Sequence, residues 1–262
     1  MCSSDLDIAR ETMTAALQHP ALSPTPLLAP IVSLARSHPA YENVAPYLDP
    51  ANAPQVKAEE EAALLNAASE ILSEPLLQIL LRSCVVADVT IERLIILTRR
   101  LALHAYVNLT AAPPISLDVL IGIGHQCFIT EYLYRVSGEE NAQVENIRLQ
   151  FNARNPIKNE QFGVALLASY VPLISAGLDG SRIATYRKGP LATLISQQLD
   201  EPTRERDLRA SIPRISDFSS ETSQMVGAFY EENPYPRWVK ATRPANASDF
   251  ADRKSTRLNS SH

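Results

Sequence analysis

Residues 88–103 read DVTIERLIILTRRLAL, and the spacing within this stretch decides the fold class. Ile91, Leu94, Ile95, Leu101 and Leu103 face inward at helical intervals, while Arg93, Arg99 and Arg100 lie largely outward as a solvated face. Asp88 stands where an N-cap belongs, with a carboxylate that can accept from the first unpaired amides. The same period recurs on both sides. Upstream, Glu59 to Leu72 carries Ala62, Leu64, Leu65, Ala68 and Leu72 on one side, with acidic residues at its start where the helix dipole favours them. Glu74-Pro75 then opens a helix through Leu76, Leu77, Ile79, Leu80 and Leu81 to about Val85 or Val86. Before these come Asp7 to His19, ended by Pro20, and Leu27 to Ala35, followed by a turn-rich connection over 37–54. Downstream, Ser116 caps a helix predicted from Leu117 to Val136, and Gly138 separates it from a polar helix over Glu139 to Ala153. Further helices fit Glu160 to Ile174, Leu191 to Leu199, Thr203 to Ala210 and Ser220 to Glu232. No segment alternates with period two for long enough to demand a sheet. The expectation is an all-α fold: an irregular helical bundle or a degenerate stack of helical hairpins, since no repeat of constant period aligns.

Composition agrees with this and removes several function classes. The chain has 262 residues, 45% apolar and 20% charged, enough for one large domain or two small ones with a core of their own. It has 8 Gly against 19 Pro, which disfavours Gly-rich phosphate loops and suits helices punctuated by proline. The net charge of -5 and pI of about 5.6 supply no positive field, so no nucleic-acid or membrane partner is expected. The sequence shows no apolar run of about 20 residues and no secretory leader, which reads as a soluble, cytoplasmic protein. Cys2, Cys84 and Cys127 lack the short spacing of zinc or redox pairs and read as reduced structural thiols.

Four motifs invite chemical readings. Asp118-Val-Leu-Ile-Gly122-Ile-Gly124-His-Gln126 looks like an apolar strand entering a cofactor loop. Gln126 replaces the third glycine, no βα alternation follows, and Leu117, Leu120, Ile121 and Phe128 fit one face of a helix. His125, Cys127 and Glu131 could be assembled into a nucleophile, base and orienting carboxylate, but their spacing spreads them around one helix. Asn108-Leu-Thr110 is a glycosylation sequon with no secretory route, and Lys188-Gly189-Pro190 is a turn before a helix.

The stretch Tyr230-Glu-Glu-Asn233-Pro234-Tyr235-Pro236-Arg237-Trp238 stands apart. A helix must stop before Pro234, and each residue preceding a proline is pushed out of the α region, so the strip is a stiff extended arm. Tyr235 and Trp238 are its large amphipathic anchors, and Arg237 is a planar cation able to stack or grip a carboxylate. Such an arm suits a groove, although a proline-rich exit linker has the same composition.

This strip, with the preceding Glu221-Thr222-Ser223, resembles the junction in bacterial proteins that join tetratricopeptide-type helices to a class I S-adenosylmethionine-dependent methyltransferase. Two upstream blocks agree, Leu81-Arg82-Ser83 through Glu92-Arg93-Leu94 to Arg99-Arg100, and Gln126-Cys127-Phe128-Ile129-Thr130-Glu131-Tyr132. In that family the cofactor-binding domain follows the junction. The resemblance therefore implies a non-catalytic helical scaffold and linker, with S-adenosylmethionine used only by the parent protein. Its partners would be the missing C-terminal methyltransferase domain and a protein held on the helical surface. Tyr230, Asn233, Pro234, Tyr235, Pro236, Arg237 and Trp238 would dock the following domain. Two other readings stay open: a self-sufficient helical interaction module, and a small S-adenosylmethionine-binding enzyme using the Gly122 region.

The two ends look foreign. The run over 252–262, DRKSTRLNSSH, resembles a translated sequencing adapter, and the reverse complement of its back-translated start, read from a gtg codon, encodes Met1-Cys2-Ser3-Ser4-Asp5. The expected organisation is thus 1–6 adapter-derived, 7–232 α-helical, 233–251 an extended linker to a missing catalytic domain, and 252–262 adapter-derived.

Overall fold

A computed structural model describes residues 3–19, 22–49, 51, 54–108, 113–153, 159–178, 180–209, 211 and 225. Among them the structure is all-α, with no strand. The helices are α1 (Ser3–Gln18), α2 (Leu28–Arg36), α3 (Tyr41–Val44), α4 (Glu61–Leu72), α5 (Pro75–Ser83), α6 (Val89–Asn108) and α7 (Leu117–Ile129). They continue with α8 (Gly138–Asn152), α9 (Glu160–Ala168), α10 (Gly180–Tyr186), α11 (Ala192–Ile195) and α12 (Glu201–Arg209). Short 3-10 turns, Thr25–Leu27 and Ala45–Leu48, precede α2 and follow α3, and a π-turn, Ser196–Asp200, joins α11 to α12.

The expected starts are present. The Asp88 carboxylate accepts from the amides of Thr90 (2.9 Å) and Ile91 (3.1 Å), so α6 begins at its capped residue. Ser116 accepts from Val119 N at 3.2 Å, and Ser137 forms a reciprocal capping box with Glu140 ahead of α8. Pro75 occupies the first turn of α5.

Several ends differ from expectation, each for a local reason. Helix α7 stops at Ile129, well before Val136, because a Schellman closure intervenes: Tyr132 N donates to Cys127 O at 2.8 Å and Glu131 N to Phe128 O at 3.1 Å. Helix α9 ends at Ala168 and not near Ile174: the chain tightens into i→i−3 bonds, Ser169 N to Leu166 O and Tyr170 N to Leu167 O, ahead of Pro172, which disfavours helix at the residue before it. The connection over 37–54 contains α3, and α10 forms where the sequence predicts no helix. The helix expected over Ser220 to Glu232, Met225 excepted, lies outside the described residues, as do the arm over 233–251 and the tail over 252–262.

Helix α7 is the axis of the packing. Every residue from Val119 to Ile129 is buried, so its apolar character runs all round and not along one face. It touches α5, α6, α9 and α11, while α4 packs on α6 and α6 on α8. Close approach explains a glycine here. A Cβ on Gly163 of α9 would lie 2.5 Å from the Tyr106 hydroxyl and 2.8 Å from the Phe151 ring, which is itself only 1% exposed. Overpacking of this kind costs about 1–3 kcal/mol, against about 1 kcal/mol returned by alanine's helix propensity. Gly163→Ala is therefore expected to lower the urea midpoint, by a net loss of stability of up to ~2 kcal/mol. An unchanged midpoint would mean that Phe151 can step aside.

Candidate functional site

The polar groups that the sequence hides converge where α7 ends. Arg99, read as outward, is 0% exposed. Its Nη1 donates to Ser169 O at 3.1 Å, and its Nη2 donates to Tyr134 O at 3.3 Å and Arg135 O at 2.7 Å. The guanidinium carbon lies 4.5 Å from the Tyr170 ring centroid and 5.8 Å from that of Tyr134. These carbonyls and ring faces offset the desolvation of a buried cation that has no carboxylate in direct contact among the described residues. The nearest compensation is one step removed: the Tyr170 hydroxyl donates to Glu140 Oε1 at 2.8 Å, and Glu140 Oε2 accepts from Ser137 N in the capping box. Burial, then the Glu140 charge, pushes the Tyr170 hydroxyl far above its usual pKa, so it remains a donor.

Around this clamp Gln126 and the turn after α7 are tied in as well, while Arg99 Nε and the Tyr134 hydroxyl make no hydrogen bond. Gln126 is 0% exposed, and in the amide orientation its neighbours require it donates to Leu81 O and Cys84 O and accepts from Val86 N. Glu131 and Tyr132 both adopt left-handed backbone, φ 52° and 57°, at positions where glycine would be free of cost. The Tyr132 hydroxyl meets Ala168 O at 3.2 Å and Gln198 Oε1 at 3.1 Å, a tie that holds the strained turn in place.

The residues proposed for chemistry separate in this frame. His125 is buried, with Nδ1 donating to Gln197 Oε1 at 2.7 Å and Nε2 accepting from the Thr193 hydroxyl at 3.2 Å. Burial lowers its pKa to about 4, with the Gln197 hydrogen bond opposing and Arg82 and Asp118 pulling in opposite directions, so it is a neutral core histidine at pH 7. Cys127 is buried, and burial pushes its thiol up to about 11 despite Arg99 beside it. A thiol that stays protonated is no nucleophile. Glu131 sits beyond the helix end, in the Schellman closure. The three therefore do not form a catalytic set.

The Gly122-x-Gly124 stretch does not fit a cofactor. It is helical and wholly buried, the side-chain amide of Gln78 fills the space a Gly122 Cβ would take, and Leu194 Cδ1 lies 3.1 Å from the Cβ position at Gly124. These glycines admit neighbouring side chains. Gly189, with φ 125°, forms the expected turn before α11. Among the described residues no group of three His, Cys, Asp or Glu is arranged to hold a metal ion. Two surface grooves, about 550 Å3 beside Arg10, Thr14, Pro75 and Leu76 and about 370 Å3 beside Ser175, Pro202 and Arg206, include neither His125 nor Cys127. No single helix among the described residues is long and apolar enough to cross a membrane; α4 and α5 reach that length only together, across a 79° bend.

No protein-family profile, curated protein or solved structure matches the chain. The docking strip of Tyr230, Asn233, Pro234, Tyr235, Pro236, Arg237 and Trp238 lies outside the described residues.

Proposed function

We propose that this chain is the non-catalytic helical scaffold and linker region of a cytoplasmic fusion protein, in which a class I S-adenosylmethionine-dependent methyltransferase domain follows the Tyr230–Trp238 strip. The observation that carries the reading is the strip itself, Asn233-Pro234-Tyr235-Pro236-Arg237-Trp238, where stiff backbone and two aromatic anchors suit docking on a following domain. The filled glycines of α7 support it from the other side, because the one cofactor-like motif in the helical body is occupied by Gln78 and Leu194. In this reading the helices present a surface to a protein partner or substrate, and the methyl donor belongs to the following domain. A second reading, a helical interaction module that works without an enzyme, is favoured by the closure of the core around α7.

Replacing Trp238 with alanine in a relative that carries both parts tests the proposal. A buried aromatic anchor is worth about 2 kcal/mol or more at an interface. The variant is expected to separate one thermal transition into two and to reduce methyl transfer. Unchanged domain stability and activity would remove the docking role.

A further inference from the structure

Helix α11, the π-turn and α12 run as one continuous helix from Ala192 to Arg209, with a proline inside it. Pro202 has no N–H, and its ring crowds the carbonyl four residues back, that of Gln198. The π-turn Ser196–Asp200 widens the helix where that conflict falls. The Gln198 carbonyl, left without its helical donor, accepts from the Ile174 amide at 3.2 Å.

The side chain of the same residue is 0% exposed and uses all four of its hydrogen-bonding positions. Its nitrogen donates to Gly124 O at 2.8 Å and Ala168 O at 3.0 Å. Its oxygen accepts from the Tyr132 hydroxyl at 3.1 Å and from Leu173 N at 3.3 Å. One residue thus fastens α7, the end of α9, the turn after it and the left-handed turn at Tyr132 to a single point on the helix. Beyond that point α12 buries none of its residues. The pair between Arg187 and Asp200 on the outer side is exposed and adds little. The direction of α12 is therefore set at the junction and not by packing along its length.

We propose that Gln198 and Pro202 form a latch that fixes the rotation and direction in which α12 leaves the body, and that couples this direction to the Glu131–Tyr132 turn. An N–H at position 202 restores the ordinary helical donor to the Gln198 carbonyl. The π-turn then closes to regular α-helix, α12 rotates by one residue, about 100°, and Ile174 N loses its acceptor. The latch involves only residues of the helical body and holds whether or not a methyltransferase domain follows.

Hydrogen exchange and tryptic cleavage of the full 262-residue chain test it. In Pro202→Ala the Ile174 amide is expected to exchange about tenfold faster or more, while α7 amides keep their protection. In Gln198→Ala both Leu173 and Ile174 amides lose protection, and cleavage at Arg204 and Arg206, exposed on α12, accelerates by about tenfold. Retained protection of Ile174 in Pro202→Ala overturns the latch. Equal loss of protection in α7 and α12 also overturns it, because Gln198 would then be ordinary core. Should Gln198→Ala fail to fold, Pro202→Ala, which removes no side-chain hydrogen bond, decides the question alone.

Discussion

Arg99→Met is expected to lower the unfolding free energy by about 3 kcal/mol or more. Two effects oppose each other. Removing the guanidinium also removes the cost of burying a charge, and methionine refills part of the volume with an apolar chain. Against this, the carbonyls of Ser169, Tyr134 and Arg135 lose their shared donor, and each of the first two, which are buried, costs about 1–3 kcal/mol. The stacking against Tyr170 goes as well. Two buried acceptors left without a donor, with the lost stacking, outweigh one relieved desolvation. A loss of this size corresponds to a Tm about 6–12 °C lower in a chain of this length. Arg99→Lys is expected to recover only part, because a point charge cannot reach carbonyls on two sides as a planar fork does. Denaturant unfolding of both variants checks this; Arg99→Met within about 1 kcal/mol of the parent would mean that the carbonyls find other donors.

The second large effect is a histidine-dependent acid lability. The folded pKa of His125 is lowered to about 4 from 6.5. Between those values the unfolded chain binds a proton that the folded chain refuses, so stability is full above the unfolded pKa and falls as pH drops towards the folded one. The shift corresponds to a loss on the order of 3 kcal/mol between pH 6.5 and 4. Protonation also turns Nε2 into a donor, at the position where it accepts from Thr193. His125→Gln should keep the parent's carboxylate-driven acid sensitivity and lose this additional component. Parallel stability curves for the two proteins over that window would contradict the assignment.

Most of the fold was legible because caps and prolines do their work locally. Asp88 and Ser116 each satisfy amides within three residues, and Pro75 brings a fixed φ and no surplus N–H to the first turn of α5, all within a few residues of chain. The misreadings are non-local. The α7 stop carries no glycine, since Glu131 and Tyr132 hold left-handed backbone with support from Ala168 and Gln198, distant in sequence. Arg99 was assigned to the surface by its charge, yet it lies four residues after Ile95, on the apolar stripe, and that spacing was the available signal. Its acceptors come from segments that no local pattern connects to α6. The sequence predicts separate helices over Leu191 to Leu199 and Thr203 to Ala210, with Pro202 in the interval between them. The π-turn carries the helix through it because the Gln198 carbonyl finds Ile174 N.

Of the functional assignments, the Gly122 loop and the His125, Cys127 and Glu131 set are the ones the side-chain packing bears on directly. Glycines in the order G-x-G serve a phosphate only when their open faces stay open. Here they admit a glutamine and a leucine.

Calorimetric titration of the 262-residue chain with S-adenosylmethionine tests the central claim most directly. A helical scaffold whose α7 glycines are filled predicts no saturable heat at ligand concentrations up to about 100 μM. Saturable binding with a micromolar Kd, abolished by Gly124→Val, would place a cofactor site in the helical body and contradict the account.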